Sequence, residues 1–406
     1  MNTDAIASSA AGGFTRAVCI AVVFTLFTAI AFGFGIYLFA LIMPAMRPSI
    51  GFANAAIGMA SAGAQIAYLA AALVCPMLTR RFGAGQVTVC AVAVGSLLLL
   101  AFAGIQGAWQ AGVVLAGLGA MAALMIVPTV GAISKAVPFA YRSAVNGLVS
   151  SGTAYGQLAN GLLVPWLLPG GQWRSIWLVT GTGSLAITLI GFVILRIIAP
   201  DVFVRETVRK RDEASGSIVT TRNFTVWILL ALSGMTCGPW QNYLSSYLTE
   251  EGRLSLATVG QLWSIIGGVG LFSGLIAGML ADRIGVRVVL VASYIALACS
   301  ALLIALHTQI WQLRIAAACF GLSFYAIYGM IPAYISKTVD AHAAAKIFAI
   351  ANVFLGLGTA LGNIMAGRVP GSLQWVFISA SAIAFISMAI TLTLQDERTL
   401  RHRPDR

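Results

Sequence analysis

The chain has 406 residues, of which 59% are apolar; its mean hydropathy is +0.93, and it carries only 24 Lys+Arg and 12 Asp+Glu. Soluble domains are about one quarter charged, so the 9% found here marks a membrane protein. It excludes a disordered chain, which is defined by low hydrophobicity, and a nucleic-acid binder, which needs basic residues clustered on a soluble face despite the net charge of +12.

Dividing the length by the roughly 20 apolar residues that one bilayer crossing needs, apolar runs bounded by charges or turn residues predict twelve helices. The first, 17–43, contains Tyr37; Ala29-Ile30-Ala31 imitates a cleavage site, but the run is too long for a signal peptide and the helix is expected to be retained. The second, 53–79, places Gln65 near its centre and runs into Arg80-Arg81-Phe82-Gly83. The third is 87–105, and the fourth, 109–134, leads into Lys135. The fifth, 143–168, carries Tyr155 between Gly152 and Gly156. In the sixth, 175–198, Gly181-Thr-Gly183-Ser-Leu-Ala186 formally matches a dinucleotide fingerprint but follows no strand, so it carries no weight.

Residues 199–223 form the longest stretch without a crossing, a charged linker. The seventh helix, 224–249, contains Gly238-Pro239-Trp240-Gln241-Asn242-Tyr243, where proline removes a backbone donor and predicts a kink or local unwinding. The eighth, 257–281, contains Gly270, Gly274 and Gly278, and 288–307 is the ninth. The tenth, 311–336, sets Tyr325 and Tyr328 on one face. The eleventh, 347–367, carries Asn352, Gly358 and Gly362; the twelfth is 373–394, and 395–406 is a tail.

Of the 36 charges, 34 lie between these spans, the exceptions being Arg196 and Arg314, each near enough to a span end to snorkel. With the N-terminus cytoplasmic, 19 of the 24 Lys and Arg face the cytoplasm and only Arg47, Arg174, Arg253, Arg314 and Arg368 face outward. That asymmetry predicts cytoplasmic N- and C-termini and an even number of crossings. The six cysteines all lie within spans and lack metal-ligand spacing, so they read as small buried hydrophobes.

Two segments recur at a separation of 202. Pro76-Met77-Leu78-Thr79-Arg80-Arg81-Phe82-Gly83 aligns with Gly278-Met279-Leu280-Ala281-Asp282-Arg283-Ile284-Gly285, and Ile133-Ser134-Lys135 with Ile335-Ser336-Lys337. Both pairs fall in equivalent loops, which predicts two six-helix halves, 1–198 and 224–394.

On these residues the chain resembles the major facilitator superfamily of secondary transporters. Gly278 to Arg287 matches the family's loop signature Gly-x-x-x-Asp-Arg-x-Gly-x-Arg, which members carry most often between spans 2 and 3; Asn146–Gly161 and Trp173-Arg174-Ser175-Ile176-Trp177 add to the likeness. The resemblance implies an all-α membrane protein with twelve helices in two pseudo-symmetric bundles. It also implies a conformational latch at Gly278, Asp282, Arg283, Gly285 and Arg287, with Asp282 placed at a neighbouring helix N-terminus and the arginines bridging to carboxylates or lipid phosphates. In the first half Arg80 stands where the aspartate should be, which puts a second latch in doubt.

No Asp, Glu, Lys or His lies mid-span. Such residues usually mark proton relays or ion sites, so a solute at the centre must be held by uncharged groups. Tyr37, Gln65, Tyr155, Trp240, Gln241, Tyr243, Tyr325, Tyr328 and Asn352 are the candidate substrate-binding residues. Each has a plainer reading as a helix-to-helix hydrogen bond. The glycine repeats are read chiefly as close helix packing that would ease rocking between the halves. No catalytic motif, Walker loop or cofactor motif is found, so neither an enzyme nor a resident cofactor is expected.

The reading that follows is a transporter of a small organic solute in a bacterial inner membrane, working as a monomer among lipids by alternating access. Gly33 to Met46 is similar to monocarboxylate-type permeases and points to an organic monocarboxylate. The alternatives are a broad exporter of apolar or weakly cationic compounds and, more remotely, a non-transporting sensor.

Overall fold

The computed structural model describes residues 3–138, 141–168, 172–204, 219–306, 309–339 and 341–395, excluding the side chains of 3–12, 143, 341, 342 and 345. The centre of the predicted linker and the tail beyond Gln395 lie outside these residues.

Among the described residues the chain is helical throughout. The first helix, α1, runs without a break through Thr3–Thr28, a π-helical stretch Ala29–Tyr37 and Leu38–Ile50. It is followed by α2 (Asn54–Phe82), α3 (Ala84–Phe102), α4 (Ala108–Ala136), α5 (Arg142–Leu167) and α6 (Trp173–Ile198), and by a single 3-10 turn, Pro200–Phe203. The second half contains α7 (Thr221–Ser246, extended by a π turn Tyr247–Glu251), α8 (Leu256–Ile284), α9 (Val286–Ala305), α10 (Ile310–Thr338), α11 (Ala341–Ala366) and α12 (Gln374–Thr393).

Ten of these helices are long and apolar enough to cross a membrane; α5 and α7 are the two more polar ones. Several of their polar residues are buried in protein: Gln157 and Asn160 in α5, and Ser233, Thr236, Gln241, Ser245 and Ser246 in α7. Polar side chains on a spanning helix are tolerated where neighbouring helices cover them. Low hydropathy in α5 and α7 therefore reports their position inside the bundle.

The repeat seen in the sequence reappears as geometry. Gly83 ends α2 at φ 89°, ψ 149°, and Gly285 ends α8 at φ 98°, ψ 148°, each donating its N–H back into the helix it terminates, to Thr79 O at 2.8 Å and Ala281 O at 2.9 Å. That backbone region is essentially reserved for glycine. The packing repeats as well. A side chain at Gly156 would run into the Ala29 carbonyl, and one at Gly358 into the Ala231 carbonyl, so α1–α5 and α7–α11 touch at points 202 residues apart on both sides.

These contacts lie within each half, which corrects the expectation that the glycine repeats smooth the surface between the halves. The same holds for Gly152, packed on Thr25 and Thr28, and for Gly362, packed on Met235 and Pro239; nothing lies within 4 Å of the Cβ positions of Gly274 and Gly278. The small residues that do join the halves include Gly58 against the Asn363 carbonyl, Gly161 against Ser264, and Gly267 against Leu158. Two further expectations are corrected. Helix α7 continues through Pro239, and the irregular backbone lies instead in the π stretch of α1 and the π turn after α7. Cys90 and Cys299 are exposed, because they sit on outward helix faces.

The loop signature joins helices of the second half. Lys337 Nζ lies 2.9 Å from Asp282 Oδ1, tying α10 to the end of α8, and Arg287 donates to the Leu392 carbonyl of α12. In the first half the 3-10 turn fills the equivalent corner: Asp201 pairs with Arg16 of α1 at 2.7 Å, and the Phe203 carbonyl closes over Gly83. Lys135, the counterpart of Lys337, donates instead to the Val204 carbonyl at 3.4 Å.

Candidate functional site

A cavity of about 230 Å³ lies where the two halves meet, lined by α1, α2, α4, α7, α10 and α11. Helical spacing puts each group of lining residues on one face. From the first half come Phe32, Ile36 and Tyr37 of α1, and Ser61, Gln65 and Tyr68 of α2; from the second come Cys237, Gln241 and Asn242 of α7, Phe324 and Tyr328 of α10, and Asn352, Thr359 and Asn363 of α11. No Asp, Glu, Lys, Arg or His is among the lining residues.

The α1 wall depends on irregular backbone. The wider π turn of Ala29–Tyr37 brings both Ile36 and Tyr37 to the cavity, and the Gly33 carbonyl, which accepts the Leu38 N–H, also accepts from Asn160 Nδ2 at 2.7 Å. Such stretches recur at functional positions in helices.

The carboxamides are ordered by one another. Asn242 Nδ2 donates to Asn363 Oδ1 at 2.8 Å, Asn363 Nδ2 to the Thr359 carbonyl at 2.9 Å, and Asn352 Nδ2 to the Phe348 carbonyl at 2.8 Å. Each of these NH2 groups commits one of its two N–H donors in this way. Ser61 Oγ, on a residue 8% exposed, is buried without a hydrogen-bond partner, and the Gln241 carboxamide, on a residue 3% exposed, meets the Tyr37 hydroxyl. Gln241 and Ser61 belong to opposite halves and line the same space.

Five of the nine candidate residues line this cavity: Tyr37, Gln65, Gln241, Tyr328 and Asn352. The other four lie elsewhere. Tyr155 is 43% exposed because it sits on an outward face of α5. Trp240 is fully buried and stacks on Phe320 with ring centroids 3.7 Å apart, the neighbouring positions 237, 238, 241 and 242 having turned toward the cavity. Tyr243 donates to the Asn54 carbonyl at 3.0 Å, and Tyr325 donates to Gln157 Oε1 at 2.9 Å. Both of these tyrosines fasten one half to the other.

Sequence reasoning missed Ser61, Tyr68, Asn242, Thr359 and Asn363. A signal was present: Ser61, Gln65 and Tyr68 share one helical stripe, as do Asn352, Thr359 and Asn363, and only one member of each stripe was selected.

The halves are joined on the side of the cavity toward Gly51. Arg47 Nη1 of α1 lies 2.9 Å from Glu250 Oε2 beyond α7, and Arg47 Nη2 donates to Asn54 Oδ1 at 2.6 Å. Pro165 packs on Gly260 and Asn54 on Gly367 at the same end. Glu251, next to the bridge, accepts from the backbone N–H of Leu373 at 2.7 Å and from Ser372 Oγ, which holds the start of α12 beneath it.

Comparison with known proteins gives a consistent result. The family model for the Major Facilitator Superfamily matches residues 25–363 and again 245–406. A Haemophilus influenzae protein, named only as a candidate metabolite transport protein, is 23% identical over 279 residues, an alignment covering 64% of this chain and 66% of that protein's length. Among solved structures, a variant of the nucleoside transporter NupG superposes with a TM-score of 0.72 at 13% identity, over 92% of this chain and 99% of the other. A bacterial homologue of the human lysosomal transporter Spinster, in an inward-facing and unoccupied conformation, also gives 0.72, at 14% identity over 97% and 99% of the two chains.

Proposed function

The chain belongs to the Major Facilitator Superfamily, and from that premise we propose that it carries a small organic metabolite across the membrane by alternating access, with the central cavity as the solute site. The observation that carries this reading is the cavity itself: polar but uncharged, built from both halves, and next to contacts that join the halves at one end. A site shared by two rigid bundles opens to alternate sides when one rocks against the other.

The excess of Lys and Arg in the loops on the Gly83 side supports a cytoplasmic assignment for that end. The Arg47–Glu250 end is then the outer face, and the conformation is inward-facing. A bacterial inner membrane and a monomer are the setting we propose.

The chemistry of the lining favours an uncharged solute. An organic monocarboxylate is the second reading, supported by the likeness of Gly33–Met46 to monocarboxylate-type permeases; it would have to be held by hydroxyl and amide donors alone. The nucleoside named for one structural neighbour is an uncharged ring-bearing solute, which agrees with the first reading.

Counterflow in proteoliposomes tests the proposal, using tracer amounts of uncharged heterocycles, organic acids, amines and sugars, with and without a pH gradient. Saturable exchange of at least one class, competed by its own members, is expected. A complete absence of saturable exchange would overturn it.

A further inference from the structure

Resting on the alternating-access reading above, we propose that Tyr325 is a positioning residue of the transport cycle. Its hydroxyl, with the ring seated over Gly270, ties the second half to Gln157 of the first in mid-membrane and holds the outer seam shut.

The place of the tie follows from the packing of α5 on α8. Gly260 meets Pro165, Ser264 meets Gly161, and Gly267 meets Leu158 and the Ala154 carbonyl, so the two helices touch at a succession of points that starts from the Arg47–Glu250 end. Gly270 lies less than one turn further along α8. There the seam is bridged by a side chain, Tyr325 of α10 donating its hydroxyl to Gln157 Oε1 of α5 at 2.9 Å.

The reach depends on glycine at 270. A Cβ at that position would overlap Cε2 of the Tyr325 ring and stand 2.6 Å from Cδ2, whereas nothing lies within 4 Å of the same point on Gly274 or Gly278. The ring also meets Phe324 edge-on, with centroids 5.0 Å apart and planes at 87°, and Phe324 lines the cavity. Seat and neighbour together aim the hydroxyl across the seam.

The tie favours one conformation because its two partners are unequally buried. Gln157 is 0% exposed, and its Nε2 is buried without a partner, so its carboxamide relies on the Tyr325 hydroxyl. Tyr325 itself is half-buried. Stripping the partner from a buried polar group costs more than the bond's net worth. Once the halves part at the outer side, water reaches both groups and that cost disappears. Loss of the hydroxyl therefore penalises the outward-closed conformation alone and shifts the population toward outward-open.

The test measures distances between spin labels at the outer ends of α1 and α7 in the full chain in lipid nanodiscs. Tyr325→Phe should raise the ratio of outward-open to outward-closed molecules roughly three- to tenfold, the range for one neutral hydrogen bond between helices. Gly270→Ala keeps both hydrogen-bonding groups and improves helix propensity, yet should shift the distances in the same direction by displacing the ring. Gln157→Leu should shift them less than Tyr325→Phe, because the hydroxyl it strands is only half-buried. Tyr325→Phe combined with Gln157→Leu leaves neither group unpaired and should return toward the wild type; a merely structural role would make the pair worse than either single change. Thermal unfolding matching the wild type establishes that each variant is folded.

A wild-type distribution in folded Tyr325→Phe or Gly270→Ala, or a double variant no less open than Tyr325→Phe, would overturn the proposal. Distances are read without flux, so the two readings fail separately. Shifts as described with no saturable exchange of any solute contradict transport alone; saturable exchange with an unmoved Tyr325→Phe distribution contradicts the tie alone.

Discussion

Arg47 and Glu250 form an ion pair at 2.9 Å across the boundary between the two halves, with side chains 23% and 34% exposed. Asn54 holds the arginine from below, and its carbonyl takes the Tyr243 hydroxyl, so one short turn of the first half is fastened to the second at two points. On the proposed alternating-access cycle this pair serves as the outer gate.

Removing Arg47 should open that gate. Arg47→Ala leaves the half-buried Glu250 beside Glu251 without its counter-charge, whereas Glu250→Gln leaves Arg47 still donating to Asn54 Oδ1. Discounted for its exposure, the pair is worth about 1 kcal/mol, a roughly fivefold change in the ratio of outward-open to outward-closed molecules. Distances between spin labels on α1 and α7 at the outer face check this: the Arg47→Ala distribution should lengthen and that of Glu250→Gln should not. Lengthening of both to the same degree would contradict the account.

The gate should close in acid. Glu250 lies just past the predicted end of its span, and burial holds its carboxyl above the ordinary carboxylate range, the Glu251 charge adding to this and Arg47 opposing it. A group whose pKa is higher in the closed state than in the open, hydrated state binds its proton more tightly when closed. The outward-closed population therefore rises as pH falls from neutral toward the carboxylate range and declines again as pH rises. The same spin-label distances measured across pH should shorten in acid for the wild type and stay constant for Glu250→Gln; lengthening in acid would reverse the sign and refute the argument.

Glycines within and between the halves should fail differently. Gly156→Val forces a side chain into the α1 backbone inside one bundle and should lower stability by about 1–3 kcal/mol or more. Gly267→Val meets Leu158 of the opposite half and leaves both bundles intact. Its melting temperature should stay near that of the wild type while transport falls more than tenfold. Thermal unfolding paired with uptake separates the two outcomes.

The turn glycines give a matched pair. Alanine at Gly83 or Gly285 must adopt φ near +90°, a strain of about 1–3 kcal/mol. At Gly83 the strain is joined by a clash, because its Cβ would also stand 2.7 Å from the Phe203 carbonyl. A loss in thermal unfolding no larger than the backbone strain alone would show that the 3-10 turn does not rest on this corner.

The fold was legible in the sequence because bilayer crossing imposes length and apolarity on each helix, and because the repeat is carried by backbone necessities such as Gly83 and Gly285. The site was only half legible. Gln241 and Tyr328 could be chosen as polar groups in mid-span, but hydropathy cannot tell whether a residue's face turns inward or outward. Tyr155 and Gln157 are two positions apart on α5, and only the fold shows that the first faces outward while the second meets Tyr325. The π stretch of α1 was illegible for a related reason: Gly33 and Gly35 permit it, but Asn160, more than a hundred residues away, helps stabilise it.

The central claim is that one cavity, sealed at the Arg47–Glu250 face, is exposed alternately to the two sides. Gln65 lines that cavity and is partly accessible, so Gln65→Cys reports on it most directly in a protein whose six cysteines are replaced by serine or alanine. In membrane vesicles of known orientation, a small membrane-impermeant thiol reagent should label the thiol at position 65 from the cytoplasmic side at neutral pH and react from the outer side only when Arg47→Ala is introduced. Labelling of the Arg47-containing protein from the outer side as fast as from the cytoplasmic side would contradict the account.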